Sequence, residues 1–158
     1  MPTIAPCLWF DDQAEQAAEY YVSVFPNSRI TGTLHYSEAD AGKAGSVLLV
    51  TFELDGRPFS ALNGGPHFTI DEAISFQIDC ETQEDVDHYW DRLTDGGEES
   101  QCGWVKDRFG VSWQVVPTRL MELLGDGDPQ TAARVTERLY KMKKIVIAEL
   151  EEAGAAAR

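Results

Sequence analysis

Apolar positions along the chain fall into runs of period two and runs of period three to four, and these alternate in an order that repeats. Thr3 to Phe10 is a short apolar run closed by Asp11 and Asp12, which predicts a first strand. Asp11 or Asp12 then serves as cap for a helix in which Ala14, Ala17, Ala18, Tyr21 and Val24 share one face, with Glu15, Gln16 and Glu19 opposite. Phe25-Pro26-Asn27-Ser28 ends it. Arg29 to Tyr36, Val47 to Leu54 and Arg57 to Leu62 read as strands. The first two are separated by the Gly-, Ala- and acid-rich loop Ser37 to Ser46, and the last two by an Asp55-Gly56 hairpin turn.

The break Asn63-Gly64-Gly65-Pro66 opens a second series. Glu72 to Asp79 alternates as a strand, and Thr82 caps a helix from Gln83 to about Thr94, with Val86, Tyr89, Trp90 and Leu93 inward. Asp95-Gly96-Gly97 stops that helix, and further strands run from about Ser100 to Val116. Strand, helix and three strands therefore occur twice. An offset of 69 residues superposes Glu15 on Glu84, Tyr20 on Tyr89 and Tyr21 on Trp90, although the repeated element order carries the duplication further than these matches do.

The stretch Gln101 to Pro117, QCGWVKDRFGVSWQVVP, joins strand periodicity to reactive side chains. Val111, Trp113 and Val115 alternate with Ser112, Gln114 and Val116, and Gly110 marks a tight turn. Cys102, Trp104 and Asp107 lie just upstream, so one hairpin would offer a thiol, an indole, a carboxylate and an amide, the mixed lining of a pocket. After Pro117 the pattern turns helical, with Thr118 to Leu124, a Gly125-Asp126-Gly127-Asp128 break, and Pro129 leading through Ala132, Val135 and Leu139 to Met142. Lys141, Lys143 and Lys144 fall where a helix C-terminus favours cations. Ile145, Ile147, Ala148 and Leu150 form an apolar patch that a partner subunit or the chain's own sheet must cover.

Charge narrows the partners. The 27 acidic against 13 basic residues give a net charge of -14, which opposes a phosphate backbone and an anionic membrane surface. Neither a spanning segment nor a leader is expected in the 158 residues, which suits one domain in the cytoplasm. Cys7, Cys80 and Cys102 lack the spacing of a disulfide framework or zinc knuckle and read as reduced thiols.

PCLWF, AEQAAEYYVSVFPNSRI, ALNGGP, QCGWVKDRFGVSWQVVP and KMKKIVIAELEEA together resemble the PhnB-like branch of the glyoxalase/bleomycin-resistance proteins, the vicinal oxygen chelate superfamily. Members of this branch often carry the name 3-demethylubiquinone-9 3-methyltransferase. The resemblance implies an α+β fold of two βαβββ modules forming a cleft, about 1–66 and 71–117 within a single domain 1–117, followed by a helical extension over 118–158. It also implies a small-molecule ligand and a homodimer. Metal-dependent members of the superfamily place His, Glu or Gln ligands on the first and last strands of each module, facing the cleft. The corresponding positions here hold Pro6, Ala73 or Ser75, and Gln114, so no metal is expected. No cofactor is expected either, because the glycines of Asn63-Gly64-Gly65-Pro66 precede a strand and not a nucleotide-binding helix.

The catalytic candidates are Cys102, Asp107 and His67, each with a plainer alternative. A nucleophilic thiol needs a cation, a histidine or a helix N-terminus beside it, and Cys102 has only Lys106 nearby in sequence; otherwise it lines a pocket or core. His67 at a strand edge serves as base or donor, or as a turn histidine. Trp9, Asn63, Ser75, Gln77, Trp104 and Gln114 are the ligand-binding candidates, or else they satisfy one another in the fold. Three functions remain open: a metal-independent enzyme, a sequestering binder, and a dimeric assembly module.

Overall fold

In the first unit, Met1–Ile70, alternation and helical spacing converge on one buried layer. The computed structural model describes residues 1–156. The unit contains β1 (Cys7–Phe10), α1 (Ala14–Val24), β2 (Arg29–His35), β3 (Val47–Leu54) and β4 (Arg57–Asn63), with strand order β1-β4-β3-β2. Only β1 and β4 run parallel; the other neighbours are antiparallel. Leu8, Phe10, Val50, Phe52, Leu54 and Ala61 are buried on the side of α1, which returns Ala14, Ala17, Ala18, Tyr21 and Val24. The alanines let the helix approach closely, and Tyr21 then stacks on Phe52 with ring centroids 6.3 Å apart. Asp55 and Gly56 take φ of 50° and 74°, the paired left-handed conformations of a two-residue hairpin turn, as expected.

The cap of α1 differs from the expectation. Neither Asp11 nor Asp12 serves; the N-cap is Gln13, whose side chain makes no capping bond, and the amide of Asn63 takes over. Its Oδ1 accepts from the Ala14 N–H at 2.8 Å, and its Nδ2 donates to the Val47 carbonyl at 3.1 Å. The last residue of β4 thus ties the start of α1 to the start of β3.

The second unit begins at Asp71 and repeats the order with β5 (Ser75–Cys80), α2 (Gln83–Thr94), β6 (Glu98–Glu99), β7 (Trp104–Lys106) and β8 (Ser112–Pro117), in sheet order β5-β8-β7-β6. Here the helix caps itself: Thr82 accepts from the Asp85 N–H, and the Asp85 carboxylate accepts from the Thr82 N–H. Phe76, Ile78 and Cys80 on β5 and Trp113 and Val115 on β8 face α2. The 69-residue offset fits the helices but not the strands. It maps Cys7 and Trp9, which point away from α1, onto Phe76 and Ile78, which point towards α2. The connection from first strand to helix spans 11–13 in the first unit and 81–82 in the second, so the strands lie one residue out of step with the helices.

β8 runs directly into the extension, α3 (Thr118–Leu124), α4 (Pro129–Leu139) and α5 (Ile147–Ala155). α4 stops at Leu139, short of Met142, so the three lysines lie beyond the helix and Lys144 instead pairs with Asp87 at 2.9 Å. Ile145 and Leu150 are fully buried in a small core with Leu120, Leu123, Val135 and Met142. Ile145 and Leu150 of the apolar patch read from the sequence are therefore covered by the chain's own helices, while Ile147 is half-buried and Ala148 exposed.

Candidate functional site

The sheet face of the second unit that turns away from α2 carries a polar constellation. Strand alternation places Ser75 and Gln77 of β5, Ser112 and Gln114 of β8, and Trp104 and Lys106 of β7 on this face. Register makes them neighbours: Ser75 lies opposite Ser112, Gln77 opposite Gln114, Trp104 opposite Gln114, and Lys106 opposite Ser112. The side chains form a chain of neutral hydrogen bonds. Gln77 Nε2 donates to Gln114 Oε1 at 3.4 Å, and Gln114 Nε2 donates to Ser75 Oγ at 2.8 Å. At its margin the Lys106 ammonium pairs with Glu72. Their mutual hydrogen bond is the main cause of the raised pKa of Lys106 and the lowered pKa of Glu72, so both stay charged near neutrality. A cavity of about 140 Å³ opens at this margin towards β6, lined by Glu72, Glu98, Glu99, Trp104, Lys106 and Ser112 among others, beside the Gln77–Gln114–Ser75 chain and not lined by it.

The remaining candidates lie elsewhere. Asp107 is buried at 3% exposure on the α2 side, where Oδ1 accepts from the Phe109 and Val111 N–H groups at 2.8 and 3.1 Å, and Oδ2 from the Trp113 indole at 2.8 Å. A carboxylate so occupied organises the β7–β8 turn, and the expected hairpin grouping of Asp107 with Trp104 and Gln114 does not form. Cys102 is half-buried against the extension, its thiol 3.6 Å from the Leu139 carbonyl. Cys80 is buried against α2; burial first, then the Asp85 and Asp79 carboxylates, push its thiol up to about 12. Cys7 is exposed.

In the first unit, the Trp9 indole donates to the Gly65 carbonyl at 2.9 Å and meets Phe68 edge-on at 4.9 Å. Gly64 lies flat against the ring, where a Cβ would come within 2.3 Å of it. Trp9 therefore anchors the 64–68 loop, and His67 is exposed on that loop. Asn63 spends its amide on α1 and β3, as above. A wider cavity of about 660 Å³ lies at this end of the unit, lined by Asp11, Asp12, Glu15, His35, Tyr36 and Lys43 among others. The sequence reading passed over this cavity, Lys106 and Ser112. The Trp104-Val-Lys106 alternation is a signal for Lys106, but using it requires the β7 register, which the run from Ser100 to Val116 left unresolved.

The family model for 3-demethylubiquinone-9 3-methyltransferase matches residues 2–116. The chain belongs to this family. A PhnB protein from Bacillus cereus is 32% identical, matches 74% of this chain and all of its own, and superposes with a TM-score of 0.67. These place the family member within the PhnB-like branch of the glyoxalase/bleomycin-resistance superfamily. Two more distant structures share the fold. One, from Pseudomonas aeruginosa, is 17% identical over 74% of this chain and 98% of its own, with TM-score 0.60. The other is a fosfomycin resistance protein from Listeria monocytogenes, solved with Mn(II) and sulfate, which is 14% identical over 80% of this chain and 98% of its own, with TM-score 0.53. No curated protein matches.

The groups these names suggest do not fit the residues of this family member. A divalent ion needs several convergent charged or imidazole donors, whereas Pro6 has no side-chain donor, and Ser75 and Gln114 are neutral and bonded to each other. Among the described residues, no group of His, Cys, Asp and Glu gathers as a metal site. A methyl-donor nucleotide would call for a glycine loop opening a helix, but Asn63-Gly64-Gly65-Pro66 leads into a loop and then β5. No helix among the described residues is long and apolar enough to cross a membrane.

Proposed function

We propose that this chain is a small-molecule-binding member of the PhnB-like branch, and that it holds a polar ligand on the Ser75, Gln77, Gln114 and Trp104 face of its second unit. The Gln77–Gln114–Ser75 chain carries the reading. Neutral amides and a hydroxyl exchange hydrogen bonds with a ligand at little electrostatic cost, and Trp104 beside them offers a flat apolar surface. The same chain contains no group that takes a proton near neutral pH, and the Asp107 carboxylate is committed to the turn. Recognition and sequestration are therefore favoured over proton-transfer catalysis. A homodimer stays in this reading on the family resemblance alone.

Native mass spectrometry of protein purified without denaturant tests the proposal. The expected result is a retained small molecule that Gln114→Leu loses while the melting temperature holds within a few degrees. Equal retention by wild type and Gln114→Leu would reject the face. Saturable methyl transfer from labelled S-adenosylmethionine would reject the binder in favour of the enzyme.

A further inference from the structure

The family model ends at residue 116, so the α3–α5 extension lies beyond the segment that this model matches. Its helices share a core onto which Val116 of β8 also packs, and few polar bonds join it to the sheet and α2. The Cys102 and Gly103 N–H groups donate to the Met142 and Lys143 carbonyls, both at 2.8 Å. Gln83 brackets the next residues, donating through Nε2 to the Ile145 carbonyl at 3.0 Å and accepting the Ile147 N–H on Oε1 at 2.8 Å. Lys144 adds its exposed pair with Asp87.

The turn so held is a strained one. Cys102 and Gly103 both take left-handed φ, 59° and 84°, a conformation that costs a non-glycine residue energy. A Cβ on Gly103 would fall 2.8 Å from Ile145 Cδ1 and 2.7 Å from the Val115 carbonyl, so the extension presses directly onto it. On its other side, Gly103 accepts the Val115 N–H at 2.8 Å, and the next residue is Trp104, opposite Gln114. Force applied at 142–147 is thus delivered within two residues to the ligand face.

We infer that the extension is a clasp, in which segment 142–147, fastened by Gln83, holds the Cys102–Gly103 turn left-handed and so sets Trp104 against Gln114. The clasp releases as a unit without unfolding the sheet, because its helices bury their apolar side chains mainly against one another while the fastening is a handful of polar bonds. Gln83 is a positioning residue. The idea that Trp104 meets a ligand rests on the function proposed above; the clasp itself does not.

The test uses full-length protein carrying Cys7→Ser, with Cys102 as reporter of clasp opening and buried Cys80 as reporter of sheet opening. N-ethylmaleimide labelling is followed by intact mass, and amide exchange at Cys102, Gly103 and Val115 by NMR. Gln83→Met keeps the side-chain volume and removes both bonds to the extension, together with the Gln83 Nε2 bond to Asp87 Oδ1 at 3.0 Å. The expected result is Cys102 labelling and exchange at these amides about tenfold faster, with Cys80 labelling unchanged. Lys144→Gln, which leaves the core and turn untouched, should give the same order of effects at about twofold, and stands in if Gln83→Met does not fold. Cys102 and Cys80 accelerating together, or neither changing, would overturn the clasp. Faster Cys102 labelling with unchanged Val115 exchange would overturn its hold on the ligand face. None of these readouts requires a ligand, so failure of the proposed function leaves them intact.

Discussion

The two units place different chemistry at the same point of the same scaffold. In each, the first strand runs parallel to the last, and the face away from the helix shows two successive cross-strand pairs. In the first unit these are Cys7 with Ser60 and Trp9 with Leu62; in the second, matched from the strand end that leads into the helix, they are Gln77 with Gln114 and Asp79 with Val116. The first is thiol beside hydroxyl in one unit and amide on amide in the other. The second is indole on isobutyl in one unit and carboxylate on isopropyl in the other. The helix caps divide as well: α2 is capped from its own first turn, whereas α1 depends on an amide delivered from β4. A shared backbone thus leaves each unit free to specialise, with Trp9 fixing a loop and Gln114 presenting hydrogen bonds.

Removing the second unit's internal anchor should have the largest effect. Asp107→Ala removes the hydrogen bonds to the part-buried Phe109 N–H, the buried Val111 N–H and the Trp113 indole, and is expected to cost about 4 kcal/mol in chemical denaturation. A loss under 1 kcal/mol would mean that the carboxylate is not structural and would return it to the catalytic candidates. Gly64→Ala, which drives a methyl group into the Trp9 ring, is expected to cost about 2 kcal/mol and to quench or shift tryptophan emission.

The caps offer a closer comparison. Asn63→Ala loses bonds to both α1 and β3 and should cost about 2 kcal/mol, against about 1 kcal/mol for Thr82→Ala; equal losses would show that the long-range cap adds nothing. The smallest effect concerns thiols. Cys7 should be alkylated at neutral pH while Cys80 stays protected. Because the folded Cys80 thiol is raised to about 12, the unfolded chain releases this proton first. Its contribution to stability is therefore intact below the ordinary thiol pKa and is lost as pH climbs towards 12. Titration of a Cys80→Ala variant against wild type isolates that slope; parallel curves above pH 9 would refute it.

Much of this was legible in residue order because periodicity is a local property. Ala14 to Val24, Val47 to Leu54, Asp55-Gly56 and the Thr82 cap each declare themselves within a dozen residues. The fates of Asp107, Asn63 and Ile145 depend on partners that the local pattern does not name. Asp107 sits on the α2 side because β7 alternates from Trp104, a register visible only once β8 is paired. Asn63 caps a helix 49 residues earlier in the chain. Ile145 looked unsatisfied because α4 was expected to run on to Met142; the break after Leu139 turns the chain back, so that Ile145 enters the core.

The outer strands β2 and β6 have a bearing on solution behaviour. A free strand edge is a template on which another chain can grow sheet, and at the edge opposite β1 or β5 each unit is blunted by a different means. β6 is two residues long, both exposed glutamates. β2 is seven residues long and shows Ile30 and Leu34 to solvent, but register shifts after Ile30 and after Leu34 interrupt the regular ladder that a new strand would need. Copies crowded together at high concentration therefore find no long regular ladder on β2 or β6 to zip onto, which leaves β1 and β5 as the edges where sheet could be added.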